Sequence, residues 1–435
     1  MKNKYLLCLF LVGLSFGTAE AEVLNFSRAY ELALENANGV RSAVYVSEAD
    51  KEKINQEDAQ LYPQINVSAS YKKSEYVANP SNNTTRQGLI SYSLTARQSV
   101  YNPDVYTRVD MQESRSKYSQ TRAELEKEKL AQDLFNVYID VLKSKNKINL
   151  LESYLEYSKS KLEELTKRYE LNLSNKMDLL QMRVEYASAQ IKLDKENKLF
   201  NVYNLKFKQY IGDTAYELPK MESDKQISDT IEQMKQRVVS DDRLQESLKI
   251  RQAQAAVEVS KADVQNAKAG HLPKVTFDMS YTKYDTDTPT VDAAYDSIGY
   301  AMLSLNLPIY SGGYVSSKVD SAKLMYMASN EDLEKIKKET QVAYDEYLAI
   351  FEASAQSVSM YNDAFQSAEL YVKAIEQGYE HGLKSVIDLN DAKNKLYEVK
   401  YKYIENIYEM VNSYIGLLMV TDNFKDIGLL DKLVE

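Results

Sequence analysis

Two acidic residues three positions apart, Asp388 and Asp391, and two histidines, His271 and His381, are the side chains whose type and spacing could do chemistry. On a helix, residues i and i+3 share a face, so the two carboxylates would sit together. On one isolated helix such a pair is a solvated surface. Each histidine stands alone, without a second ligand at metal-binding spacing, and reads as a structural residue of a turn. The sole cysteine, Cys8, lies near the amino terminus, so the chain beyond it offers no thiol for a disulfide, a Cys-ligated zinc or a nucleophile. No hydrolytic or redox constellation stands out, and the Asn83-Thr84-Thr85 sequon reads as coincidence. No enzyme class, metal or cofactor is implied.

The elements that carry these residues begin after an export signal. Lys2 and Lys4 precede an apolar stretch from Tyr5 to Phe16, and Ala19-Glu20-Ala21 supplies small residues for cleavage, so residues 1–21 read as a secretory signal peptide. The rest is built for long helices: only 13 Gly and 7 Pro occur in 435 residues, and 27% are charged. A net charge of −10 without a basic stripe argues against a nucleic-acid partner. No apolar run beyond residue 21 approaches a transmembrane helix, so a membrane would have to be crossed by strands.

The chain repeats itself. Ala59-Gln60-Leu61-Tyr62-Pro63 is echoed by Ala269-Gly270-His271-Leu272-Pro273, Tyr101 by Tyr310, Val109-Asp110 by Val319-Asp320, Tyr169-Glu170 by Tyr379-Glu380, and Asp178-Leu179 by Asp388-Leu389, at an offset of 209 or 210. Neither Gly nor Pro occurs between Pro103 and Gly212, nor between Gly313 and Gly378, which permits unbroken helices on the order of 100 Å long. Leu134, Val141, Ile148, Leu155, Leu162 and Tyr169 recur every seven residues, and Tyr344, Phe351, Val358, Phe365, Val372 and Tyr379 repeat them 210 residues later. Strict heptads mean coiled-coil packing of side-by-side helices. Asn172-Leu173 and Gly382-Leu383 fall where each long helix must reverse through a left-handed residue.

Period-two alternation follows each Pro63 and Pro273. Ile65, Val67, Ala69 and Tyr71 alternate with polar residues, as do Ile90, Tyr92, Leu94 and Ala96, and then Val275, Phe277, Met279 and Tyr281; Ala301, Leu303, Leu305 and Leu307 alternate less cleanly. Runs of about 9–13 residues match tilted transmembrane strands. The segments from Val77 to Gln87 and Tyr284 to Ser297 read as polar loops. Four strands cannot close a barrel, and an open sheet in lipid leaves edge groups unpaired, so several chains must combine around an axis. Around such an axis any lumen-facing carboxylate becomes a ring, and rings of Asp attract cations.

The expected layout is a first repeat over 22–212 (a helix, strands 64–76 and 88–101, long helices 104–171 and 176–211) and a segment over 213–242. A second repeat spans 243–416 (a helix, strands 274–283 and 298–310, long helices 314–381 and 386–416), with a tail over 417–435.

Gly270-His271-Leu272-Pro273, the run Leu307-Pro308-Ile309-Tyr310-Ser311-Gly312-Gly313, and the stretch from Gly378 through Lys384, Asp388 and Asp391 resemble the TolC family of outer-membrane efflux and type I secretion ducts. The resemblance covers nearly all of the chain beyond residue 21. It implies a homotrimer with a twelve-stranded β-barrel in the outer membrane of a Gram-negative bacterium, continuous with a long α-helical barrel in the periplasm. The partners it implies are a periplasmic adaptor and an inner-membrane transporter of RND, ABC or MFS type. It assigns Asp178, Tyr379 and Lys384 to the links that hold the inner tip shut, and Asp388 and Asp391 to a cation-attracting ring at the entrance. Lys384 stands where the family often has Arg; a lysine makes no bidentate fork, so a looser closed state is expected. The competing reading is a soluble periplasmic coiled-coil scaffold or adaptor without a pore.

Overall fold

The computed structural model describes residues 22–78, 83–213, 215–221, 224–238, 241–286 and 296–433; the expected signal peptide lies outside them. A short strand β1 (Glu22–Val23) leads into helices α1 (Phe26–Asn36) and α2 (Asn38–Asp58). Strands β2 (Gln64–Ala78) and β3 (Asn83–Tyr101) follow, then the long helices α3 (Pro103–Glu170) and α4 (Lys176–Ile211). A connecting segment holds β4 (Tyr216–Glu217) and α5 (Asp224–Val238). The second copy comprises α6 (Leu248–Ala269), β5 (Lys274–Thr286), β6 (Ser297–Asn306), α7 (Tyr314–Glu380) and α8 (Val386–Val420).

The long helices start and stop where local chemistry dictates. Pro103 opens α3 at a position whose N–H has no intrahelical partner, and α7 starts beyond Gly313, held left-handed at φ 83°. Both close with the same double bond. Leu173 N–H donates to Arg168 O (2.7 Å) and Asn172 N–H to Tyr169 O (3.0 Å); Leu383 donates to Gly378 O (2.8 Å) and Gly382 to Tyr379 O (3.0 Å). Asn172 and Gly382 take the left-handed position, at φ 58° and 71°. Helix α8 runs four residues past Gly416, because Leu417, Leu418, Met419 and Val420 are buried in the core; Gly416 itself admits the Tyr347 ring, since a Cβ there would lie 2.5 Å from the ring carbons.

The four long strands form one antiparallel sheet in the order β2-β3-β5-β6. The copies join at β3–β5, where Leu94 pairs with Tyr281 and Arg97 with Asp278, with a bulge at Ser99 to Tyr101. Register places Ile65, Val67, Leu94, Tyr92, Phe277, Met279, Leu303 and Leu305 on one face, and Asn66, Ser68, Ser93, Thr95, Thr282 and Ser304 on the other. An Arg97–Asp278 ion pair (2.6 Å) lies on the polar face. Strands β2 and β5 run past their expected ends, to Ala78 and Thr286, and two further boundaries differ more. Strand β3 starts at Asn83, paired with Ala78, because backbone pairing proceeds whatever the polarity of the side chains. Strand β6 stops at Asn306, because Pro308 lacks an N–H for the ladder.

The core sits at mid-length. Leu134, Phe135, Tyr138, Val141 and Leu142 of α3 pack with Phe26 of α1, Phe207 and Ile211 of α4, Ile227 and Met234 of α5, the end of α8, and Leu429, Leu430 and Leu433. Tyr138 stacks on Phe207 (5.0 Å), meets Phe26 edge-on (4.9 Å) and donates its hydroxyl proton to Leu24 O. The heptads are buried from Leu134 to Ile148 and from Tyr344 to Val358, but their last positions diverge: Tyr169 is 40% exposed, whereas Tyr379 is packed between two small apolar clusters. Strict equivalence of the copies therefore ends at the tips.

Candidate functional site at the hairpin tips

Both hairpin turns lie at one end of the bundle, where apolar packing thins to two patches. Leu162 and Leu165 of α3, Leu179 and Met182 of α4, and Val386 of α8 make the first, and Val372, Ile375, Leu389, Ala392 and Leu396 the second; Tyr379 touches both.

The expected site residues fall here, but a single chain does not link them all. Asp178 lies in the first turn of α4, its N–H donating to the Asn175 side chain (2.8 Å). Asp388 holds the matching position of α8 and closes a capping box: its carboxylate accepts from the Ser385 N–H and hydroxyl (2.9 Å each), while its own N–H donates to Ser385 Oγ (3.1 Å). The Ser385 donors, with the nearby Lys384 charge, hold the Asp388 carboxyl below the usual aspartate range. Asp391, one turn on, is exposed. Lys384 is exposed in the turn, its N–H donating to Gly378 O (3.1 Å). Among the described residues no hydrogen bond or ion pair joins Asp178, Tyr379 and Lys384 to one another.

Tyr379 is instead gripped from the first copy. Arg168 Nη1 donates to its hydroxyl oxygen (2.8 Å), and Lys161 Nζ sits 4.0 Å from its ring centroid. Glu164 pairs with both cations, at 2.7 and 3.3 Å. One turn further from the tip, Lys393 of α8 pairs with Glu376 (2.7 Å) and lies 4.9 Å from the Tyr157 ring, and burial raises the Tyr157 hydroxyl pKa. Tyr157, Lys161, Glu164, Arg168, Glu376 and Tyr379 line a polar groove of about 410 Å³. Sequence reasoning missed Lys161, Glu164 and Arg168, because their partner stands some 210 residues away; only their i, i+3, i+7 spacing marked them as one face.

The model of a family described as outer membrane efflux protein matches residues 29–198 and 239–421. The chain belongs to that family. Its members are channels rather than enzymes, and they reside in the outer membrane. The chain is similar to outer membrane protein TolC of Vibrio cholerae serotype O1, 22% identical over 98% of each chain. It is also similar to the proteases secretion protein PrtF of Dickeya chrysanthemi, 21% identical over 96% of this chain and 92% of that one. In fold it matches the Campylobacter jejuni CmeC outer membrane channel at a TM-score of 0.78, with 15% identity, covering 94% of this chain and 90% of the other.

Proposed function

We propose that three copies of this efflux-family chain form a passive exit duct. A twelve-stranded barrel sits in the outer membrane and an α-helical barrel extends into the periplasm. The duct serves efflux of drugs and toxic compounds or type I protein secretion, with a periplasmic adaptor and an inner-membrane transporter. The observation that carries this reading is the four-stranded sheet, continuous across both copies and ending in β2 and β6, with one apolar and one polar face. Edge backbone groups exposed to lipid cost several kcal/mol each, so these edges call for neighbouring copies. An apolar face toward lipid and a polar face toward a lumen follow the pattern of membrane barrels.

The tips hold the duct shut through Asp178, Tyr379 and Lys384, and opening untwists the inner hairpins once those links break. Asp388 and Asp391, tripled by symmetry, make the cation-attracting entrance. Planar-bilayer recording of Tyr379→Phe with Lys384→Ser tests the gate: a raised single-channel conductance is expected, and an unchanged one removes these residues from it. Fractionation tests the duct itself, which should appear as a detergent-resistant oligomer in the outer membrane; a soluble periplasmic species would favour the scaffold reading instead.

A further inference from the structure

We infer that Lys161 and Arg168 of α3 are gate-holding residues, a cationic clamp that ties Tyr379 of α7 to the first copy within one chain. The inference rests on the reading of Tyr379 as a gate residue and adds positions that the reading does not contain.

The geometry is specific. Arg168 donates to the Tyr379 oxygen, and Lys161 covers the ring face with a side chain that is only 11% exposed. A cation removed from water binds an aromatic face more strongly than one on the open surface. Glu164 pairs with both cations and holds them on the side facing Tyr379. Because Arg168 uses the oxygen as acceptor, the Tyr379 O–H keeps its proton for a carboxylate such as Asp178, so the clamp and the expected link use different parts of one hydroxyl.

The clamp is also one-sided. The positions of the second copy equivalent to Lys161, Glu164 and Arg168 are Tyr371, Ala374 and Gly378, none of which is a cation or a carboxylate. Tyr169, the equivalent of Tyr379, is exposed. Among the described residues, no such clamp holds Tyr169. Polar contacts of this kind can be exchanged for water at little net cost, whereas separating close-packed hydrocarbon exposes it. A seam that must part and re-form is better made of the former, and Lys393, Glu376 and Tyr157 give it a second rung of the same chemistry.

The test is single-channel conductance of the full-length protein in planar bilayers. Arg168→Gln should raise conductance, though no further than Tyr379→Phe does, Lys161→Gln should raise it too, and the Arg168→Gln, Tyr379→Phe pair should rise no further than Tyr379→Phe alone. Arg168→Lys, which keeps the charge and a donor, should return conductance toward the wild-type level; a purely structural role would show no such rescue. If Arg168→Gln conducts like wild type while Tyr379→Phe with Lys384→Ser opens the channel, the clamp is refuted and the gate reading stands. Additive effects of Arg168→Gln and Tyr379→Phe also refute it. If none of the variants changes conductance, the gate reading and the clamp fall together.

Discussion

Asp388 caps its own helix and Asp391 does not, so two carboxylates on one face differ in chemistry. The Ser385 donors favour the charged form of Asp388, so its contribution is present above the usual aspartate pKa and lost only as pH falls through the lowered one. Trivalent cations applied from the periplasmic side should block the pore, and Asp388→Ala with Asp391→Ala should relieve the block; an equally blocked double variant would exclude the ring. With Asp391→Ala alone, the residual block should persist to lower pH than an ordinary carboxylate allows, and Ser385→Ala should shift its loss upward. Glu128 of α3 titrates in the opposite sense. It is 7% exposed with one carboxylate oxygen unpartnered, and burial pushes its carboxyl up to about 7, against the opposing charge of Lys249 and with the Asp422 carboxylate adding to the rise. A raised folded-state pKa means that stability is fullest below the ordinary glutamate value and falls as pH rises toward 7 and beyond. Glu128→Gln should therefore raise thermal stability near pH 8 by up to about 3 kcal/mol and change it little near pH 5. An unaltered melting profile across that range would contradict this.

At the scale of elements, each hairpin reverses through one left-handed residue, and the two copies solve the problem with different amino acids. Replacing Gly382 by Ala should cost about 1 kcal/mol, while Gly382→Asn, copying the first repeat, should cost less. Hydrogen exchange of the Leu383 and Lys384 amides in the two variants would show the difference, and equal protection would exclude the strain. Much of this level was legible in the sequence, because Pro103, Gly313, Asn172 and Gly382 are local signals whose chemistry acts within a few residues. The start of β3 was not, since Asn83 to Gln87 are polar and only pairing with β2 makes them a strand. The clamp on Tyr379 was hidden for a related reason. Heptad position identifies a buried face, but not which of two adjacent helices supplies the charges beside it. Asp178 and Lys384 lie at the two hairpin turns, and the contact that Tyr379 makes inside the chain is with Arg168.

For the whole molecule, the proposed barrel turns the apolar face of the sheet to lipid and the polar face to the lumen, and neighbouring residues of β6 separate them. Leu303→Arg on the apolar face should cost about 2–4 kcal/mol at the membrane midplane and deplete the assembled oligomer in the outer membrane, whereas Ser304→Arg should assemble normally. Loss of both, or of neither, would contradict the assignment of faces. The mid-length core also has a directional property: α1 covers Phe135 and Tyr138 of the first copy, while the equivalent Asp345 and Leu348 of α7 line a groove beside α5. In the proposed trimer, six similar hairpins encircle the pore but only alternate ones carry Lys161, Glu164 and Arg168. A half-length ancestor assembling as a hexamer would have had to repeat every feature six times. Two unequal copies in one chain allow the staves to differ, so that in that trimer one half of the wall supplies the cations of the clamp and the other half the tyrosine they hold.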